Sequence, residues 1–312
     1  MRFSERQIHA SSTGAALCLR HEPATGEAKG AVHILHGLAD HSERYGRFAG
    51  ELAAAGFHVY AHDQRGHGFT RATGAPRGVF DSGGRGPELV IEDIVSVQDR
   101  IAEAHPGLPL FLFGHSMGGT FALAHAYRHP GRLAGVAAWN ASLIADFFSD
   151  RAGRLVLAWE RLRLGSDVPS FLMPRLTFGQ WAKSVRNRRT EFDWLSHDPA
   201  AVDAYVADPL CGWPASVGMW RDIMTLVSEA ADAASAPEKA RRLPYHLVGG
   251  ENDPATKFGK TITAQEKRMR AAGFDDVTLE IIPGFRHETL NETGREPVIA
   301  GLIDWLGVKA KR

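Results

Sequence analysis

The apolar run Leu110-Phe111-Leu112-Phe113 stops at Gly114-His115-Ser116-Met117-Gly118-Gly119 and continues into Thr120-Phe121-Ala122-Leu123-Ala124. A short apolar run that ends in glycines and resumes with helix formers reads as buried strand, sharp turn and helix. G-x-S-x-G at such a junction is the pattern of a nucleophile elbow, where the turn lifts a serine hydroxyl off the end of a strand. The glycines flanking Ser116 let the backbone turn tightly and bring strand and helix together. Ser116 is therefore the candidate nucleophile, with the amino end of a helix behind it.

A serine hydroxyl is a poor nucleophile at neutral pH, so it needs a base, and the base needs an orienting group. Leu243–Val248 reads as a late buried strand and runs into Gly249-Gly250-Glu251-Asn252-Asp253-Pro254, a loop with acids at a strand end. Val277–Ile282 reads as the last strand, followed by Pro283-Gly284-Phe285-Arg286-His287-Glu288. The order serine, acid, histidine along the chain makes His287 the candidate general base and Asp253 its orienter, with Glu251 the competing acid. Taken alone, His287 would read as a surface-loop histidine; its place after the final strand argues otherwise.

A tetrahedral intermediate needs hydrogen-bond donors fixed in advance around its negative oxygen. The N–H of Met117, next after the serine, is one candidate. The second should come from the loop after an earlier strand. Ala31–Leu35 is that strand and His36-Gly37-Leu38-Ala39-Asp40-His41 that loop, so the Leu38 N–H is the second candidate. The plain alternative for His36-Gly37 is an ordinary strand-to-helix turn. Asp63-Gln64-Arg65-Gly66-His67-Gly68 marks another tight loop, whose Asp63 and Arg65 read as structural hydrogen-bonding groups.

Strand and helix patterns alternate through the first part of the chain. Arg6–Ala10 and Ala15–Arg20 suit a hairpin at a sheet edge; helices fit Arg44–Ala55 and Pro87–His105; strands fit Phe57–His62 and Leu133–Trp139. The alternation predicts an α/β fold, a mostly parallel sheet with helices on both faces. Catalytic loops in such sheets gather at the carboxyl ends of the strands, where every candidate above falls. The alternation stops after Trp139-Asn140 and resumes near Arg241. The expectation is a core formed by 1–140 and 241–312, with 141–240 as an inserted helical cap. That cap holds five of the seven tryptophans, Trp159, Trp181, Trp194, Trp213 and Trp220. Phe147, Phe148, Phe171, Leu172, Met173, Phe178 and Trp181 are candidates to line an apolar tunnel, or else to form the cap's own small core. Its basic stretches, Arg151, Arg154, Arg161 and Arg163 with Arg186, Arg188 and Arg189, read as a solvated face or as a field for an anionic head group.

The chain of 312 residues carries 36 basic and 36 acidic side chains, so net charge gives no attraction to nucleic acid or to an anionic membrane. Cys18 and Cys211 make neither a disulfide framework nor a metal pattern. The first residues lack an apolar h-region and no apolar run is long enough to span a bilayer, so the expected compartment is the cytoplasm.

Four stretches carry a resemblance to a known family: His36–Tyr45, Asp63–Gly68, Gly114–Gly119, and in the cap Glu191–Asp198 running on to Tyr205–Cys211. They resemble the monoacylglycerol lipase and lysophospholipase branch of the α/β-hydrolase superfamily, grouped with the serine aminopeptidase type. The resemblance implies an α/β-hydrolase fold and a serine carboxylester hydrolase acting on monoacyl lipids such as monoglycerides or lysophospholipids. It implies Leu38 and Met117 as oxyanion donors, and no cofactor. His36, Gly37, His115, Phe147, Phe178 and Trp181 are the candidate substrate-contacting residues. The loop Asp81–Gly86 is longer and richer in glycine than the family pattern. The expected partner is a monoacyl lipid or another ester, with transient membrane-surface contact through the cap and no nucleic acid.

Two other classes remain open to such a chain. Metal-dependent hydrolysis is invited by His33, His36, His41, His62 and His67, but these fall on separate strands and loops, and no set of supporting carboxylates accompanies them. A non-catalytic binder of apolar ligands would have no need of a base. Within the enzymes, a thioesterase, a peptidase or an esterase of small esters would use the same triad.

Overall fold

The computed structural model describes residues 3–141, 143 and 147–311, with the backbone alone over 147–150. Strands β1 (Glu5–Ala10) and β2 (Ala16–Glu22) form an antiparallel hairpin. Then come β3 (Gly30–Leu35), a 3-10 turn at Ser42–Tyr45, α1 (Gly46–Ala54), β4 (Phe57–His62), α2 (Gly86–Ala104), β5 (Leu110–His115), α3 (Met117–Arg128) and β6 (Gly135–Trp139). The next stretch is helical: α4 (Phe147–Leu164), α5 (Met173–Leu176), α6 (Phe178–Ser184), α7 (Pro199–Ala207), α8 (Val217–Ala231) and α9 (Glu238–Arg241). The chain ends with β7 (Pro244–Gly250), α10 (Lys260–Ala271), β8 (Asp276–Ile282) and α11 (Glu296–Lys309).

The sheet has eight strands in the order β1-β2-β4-β3-β5-β6-β7-β8. Strands β4, β3, β5, β6, β7 and β8 run parallel, while β2 meets β4 antiparallel. Strands β3, β5 and β6 are buried along their whole length, as a sheet covered on both faces requires. One face packs Ile94, Phe121 and Leu226 against the sheet, from α2, α3 and α8. The other packs Phe48 of α1 with Leu302 and Trp305 of α11. This is the α/β-hydrolase fold that the resemblance implies, and it sets the carboxyl ends of the six parallel strands on one rim.

Local differences have local causes. The helix expected over Arg44–Ala55 opens as a 3-10 turn because the Ser42 N–H donates to Asp63 Oδ1 at 2.9 Å and tightens its first residues. The strand expected from Leu133 begins at Gly135, because a 3-10 turn at Pro130–Arg132 delays it. In 141–240 the boundary drawn at 240 places α8 with the cap, yet α8 packs on α3 and α2 and shares the core of the sheet. It occupies a core layer and carries the chain back from α7 to β7. Side chains cap two of the described α-helix starts: Asp198 accepts the Ala200 N–H before α7, and Ser216 accepts the Met219 N–H before α8. Among the described residues, no helix is long and apolar enough to cross a membrane. Cys18 and Cys211 are both free and buried.

Candidate active site

The turn between β5 and α3 is a strained one. Ser116 sits at φ 55° and ψ −119°, a conformation a non-glycine residue holds only where its surroundings enforce it. The Ser116 N–H donates to the Trp139 carbonyl at the end of β6. The neighbouring glycines are there for space. A Cβ on Gly118 would lie 2.1 Å from the Leu35 carbonyl oxygen, and one on Gly114 would lie 2.1 Å from the Gly118 carbonyl oxygen. Only glycine lets α3 start this close to the ends of β3 and β5.

Asp253, from the loop after β7, and His287, from the loop after β8, converge on this serine. His287 Nδ1 lies 2.9 Å from Asp253 Oδ2, and His287 Nε2 lies 2.9 Å from Ser116 Oγ. The carboxylate takes the Nδ1–H, which leaves the Nε2 lone pair facing the serine hydroxyl. Asp253 is fully buried. Burial works against its ionisation, but the adjacent His287 and hydrogen bonds from His287, Asn140 and the Ala255 N–H outweigh it and hold the carboxyl below its ordinary range. The competing acid, Glu251, is exposed and instead accepts the Gly284 N–H.

The loop after β3 passes beside the serine. A Cβ on Gly37 would stand 3.5 Å from Ser116 Cβ, and Leu38 lines the same cavity as Ser116 and Met117. That cavity measures about 450 Å³. Leu143, Met173, Phe178, Trp181, Ile223 and Val227 give it an apolar wall, and Ser116, His287 and Asp40 a polar end. Its volume falls in the ordinary range for small-molecule sites.

Of the substrate-contacting candidates, Gly37, His115, Phe178 and Trp181 line the cavity. His36 does not. Its ring is fully buried beneath the loop, where Nε2 accepts the Gln64 N–H, because the turn into the loop directs the side chain into the core. His115 reaches the cavity wall, but its Nε2 bonds the His287 carbonyl oxygen at 2.9 Å. Burial, and then the nearby His287, push its pKa down to about 4. Phe147 and Phe148 fall outside the described side chains. Among the further tunnel candidates Met173 lines the wall, whereas Phe171 is exposed and stacks under Arg175 instead. Asp63 and Arg65 are structural, as expected: Arg20 Nη1 lies 3.0 Å from Asp63, and Arg65 Nε lies 2.9 Å from Asp93.

Sequence reasoning missed three groups. Asn140, at φ 48° directly after β6, donates its amide to Asp253 Oδ2 at 2.9 Å and accepts the Thr289 hydroxyl at 2.7 Å. Its position at a strand's carboxyl end was the available signal. Trp194 packs its ring 5.0 Å from that of His287. Arg44 forms a two-pronged pair with Glu288, 2.8 Å on each arm, and also reaches Asp40 at 3.0 Å. This buried group ties the loop after β3 to the residue that follows His287.

The fold and this constellation define a serine hydrolase of the α/β-hydrolase class. The family described as serine aminopeptidase, S33, matches residues 26–294, and the chain belongs to it. It is 31% identical over 278 residues to the monoglyceride lipase of Homo sapiens, covering 89% of this chain and 81% of the human one. It is 27% identical over 289 residues to the monoacylglycerol lipase of Mycolicibacterium smegmatis, covering 90% of this chain and 89% of that relative. A highly thermostable carboxyl esterase from Bacillus coagulans superposes with a TM-score of 0.87 at 24% identity over 99% of each chain, a likeness of fold.

Proposed function

We propose that this carboxylic ester hydrolase cleaves monoacyl lipids, monoacylglycerols or lysophospholipids, through an acyl-enzyme. Ser116 Oγ attacks the ester carbonyl while His287 Nε2 takes the hydroxyl proton. Asp253, held by Asn140, keeps the imidazole in the required tautomer and stabilises the imidazolium that forms. The N–H groups of Leu38 and Met117 receive the negative oxygen, with the amino end of α3 adding its dipole. The intermediate collapses, His287 gives its proton to the departing glycerol or head-group oxygen, and the alcohol leaves. Water then enters, loses a proton to His287 and attacks the acyl carbonyl; the fatty acid departs and Ser116 recovers its hydrogen.

The observation that carries the substrate class is the apolar cavity of about 450 Å³ opening on Ser116 and His287. The segment between β6 and α8 acts as the cap over it, with Phe178 and Trp181 at the acyl chain. Leu155, Trp159 and Leu162 on α4 are exposed beside Arg161 and Arg163, which suits transient contact with a lipid surface. The relatives named above are themselves lipases of monoglycerides, which supports the same reading.

A panel of esters tests it: glycerol monoesters of graded acyl length, a lysophospholipid, an acyl thioester and an acetyl ester. The expectation is kcat/KM rising with acyl length on the glycerol monoesters. A clear preference for the acetyl ester would contradict the lipid reading, and a preference for the thioester would move the chain among thioesterases.

A further inference from the structure

Three histidines from three different elements meet at the end of the sheet opposite the triad. His21 lies on β2, His58 is the second residue of β4, and His105 follows the last residue of α2. One ring nitrogen from each lies within 4.8 Å of the other two. The rings of His58 and His105 stack at 3.8 Å between centroids, and His21 Nε2 lies 3.4 Å from His58 Nδ1. Two outer groups support the cluster. Glu5 Oε2 lies 3.0 Å from His21 Nδ1, and the Tyr60 hydroxyl lies 2.8 Å from His105 Nε2. The triad uses none of these residues.

We propose that His21, His58 and His105 form a binding site for a divalent transition-metal ion of the zinc and nickel class, pinning the β1–β2 hairpin and the end of α2 to β4. The donor set is the ground for the class of ion. Imidazole nitrogens suit zinc, copper and nickel, whereas calcium and magnesium call for oxygen. Tetrahedral zinc binds nitrogen at about 2.0–2.1 Å, so its donors stand closer together than they do here. A turn of one stacked ring and a small approach of the other two close the site. A fourth position is left to solvent, since His58 and His105 are only half-buried. Glu5 plays the part a carboxylate plays behind many metal-bound histidines: it takes the Nδ1–H, so that His21 Nε2, here 3.4 Å from His58 Nδ1, carries the lone pair offered to the ion.

The test uses the untagged full chain and Zn²⁺ in calorimetry, with Co²⁺ absorption as a report of nitrogen coordination. The expected result is one equivalent bound in the micromolar range and a thermal midpoint that rises with Zn²⁺ concentration. Glu5→Gln weakens binding by about tenfold. The double variant H58A/H105A loses the saturable site and the thermal shift while keeping wild-type turnover, which shows that it is folded. An equivalent bound equally well by the double variant overturns the proposal, as does no binding by the wild-type chain at millimolar Zn²⁺.

Discussion

The imidazole of His115 lies 2.9 Å from the carbonyl oxygen of His287, so the residue before the serine holds the backbone of the histidine that serves it. On its other side, His115 Nδ1 lies 3.4 Å from the Tyr45 hydroxyl, which donates to Asp40 at 3.0 Å. Asp40 in turn meets Arg44, and Arg44 meets Glu288. The serine turn, the loop after β3 and the histidine loop are thus joined by one buried polar network. Such a network fixes geometry when every member is satisfied and is costly when one is removed.

Replacing Arg44 by methionine removes the guanidinium that pairs with both Asp40 and Glu288 in that network. The expected loss of stability is about 3–5 kcal/mol, since two buried carboxylates are left without their partner. Arg128, paired with Glu229 at the surface, serves as the comparison. Its replacement by methionine is expected to cost no more than about 1 kcal/mol. Urea unfolding of both variants checks the contrast.

How much of this was legible in the sequence follows from the range of each interaction. The elbow at Gly114–Gly119 is a local device, and its glycines and flanking apolar run announce it. Asp253 and His287 were found because strand ends in a parallel sheet converge. Asn140 obeys the same rule but carries an amide, which gives no catalytic signal until Asp253 is seen beside it. The Arg44–Glu288 pair joins residues 244 apart in the chain, and nothing local specifies it. Proximity in sequence to the oxyanion loop points His36 at the cavity, but the direction of a side chain at a turn is set by tertiary packing, and here it points inward. The helix α8 reads as cap by position and as core by packing, for the same reason.

Gly118→Ala should leave little folded protein. Its new methyl group would sit 2.1 Å from the Leu35 carbonyl, a backbone atom that cannot yield without moving β3. Gly301→Ala is the control. Gly301 lies in α11, is exposed, and has open space where a Cβ would stand. That change should raise stability by about 0.5–1 kcal/mol through helix propensity. Thermal melts of the two variants check the opposite signs.

Stability should fall as pH drops below about 6.5. Burial is the leading cause holding His62, His67 and His125 down to about 3 and His115 to about 4. The unfolded chain binds these protons below about 6.5, the ordinary histidine value, while the folded chain stays neutral there. Their contribution is complete above that pH and is lost as pH falls toward 3–4. Glu288, held below its ordinary range once Arg44 overcomes the cost of burial, adds the same sign in more acid solution. Denaturation midpoints at pH 8, 6 and 5 should decline in that order. A midpoint that stays flat across that range contradicts the assignment of these histidines as neutral and buried.

The proposed reaction depends on the activation of Ser116 by His287, which Asp253 in turn orients. A fluorophosphonate probe followed by peptide mass spectrometry tests it directly. The expected result is a single adduct on Ser116, absent from a folded Ser116→Ala variant and strongly slowed in His287→Ala, with ester turnover falling by at least about 10³-fold in both. Equal labelling of the Ser116→Ala variant, or an adduct on another residue, would contradict it.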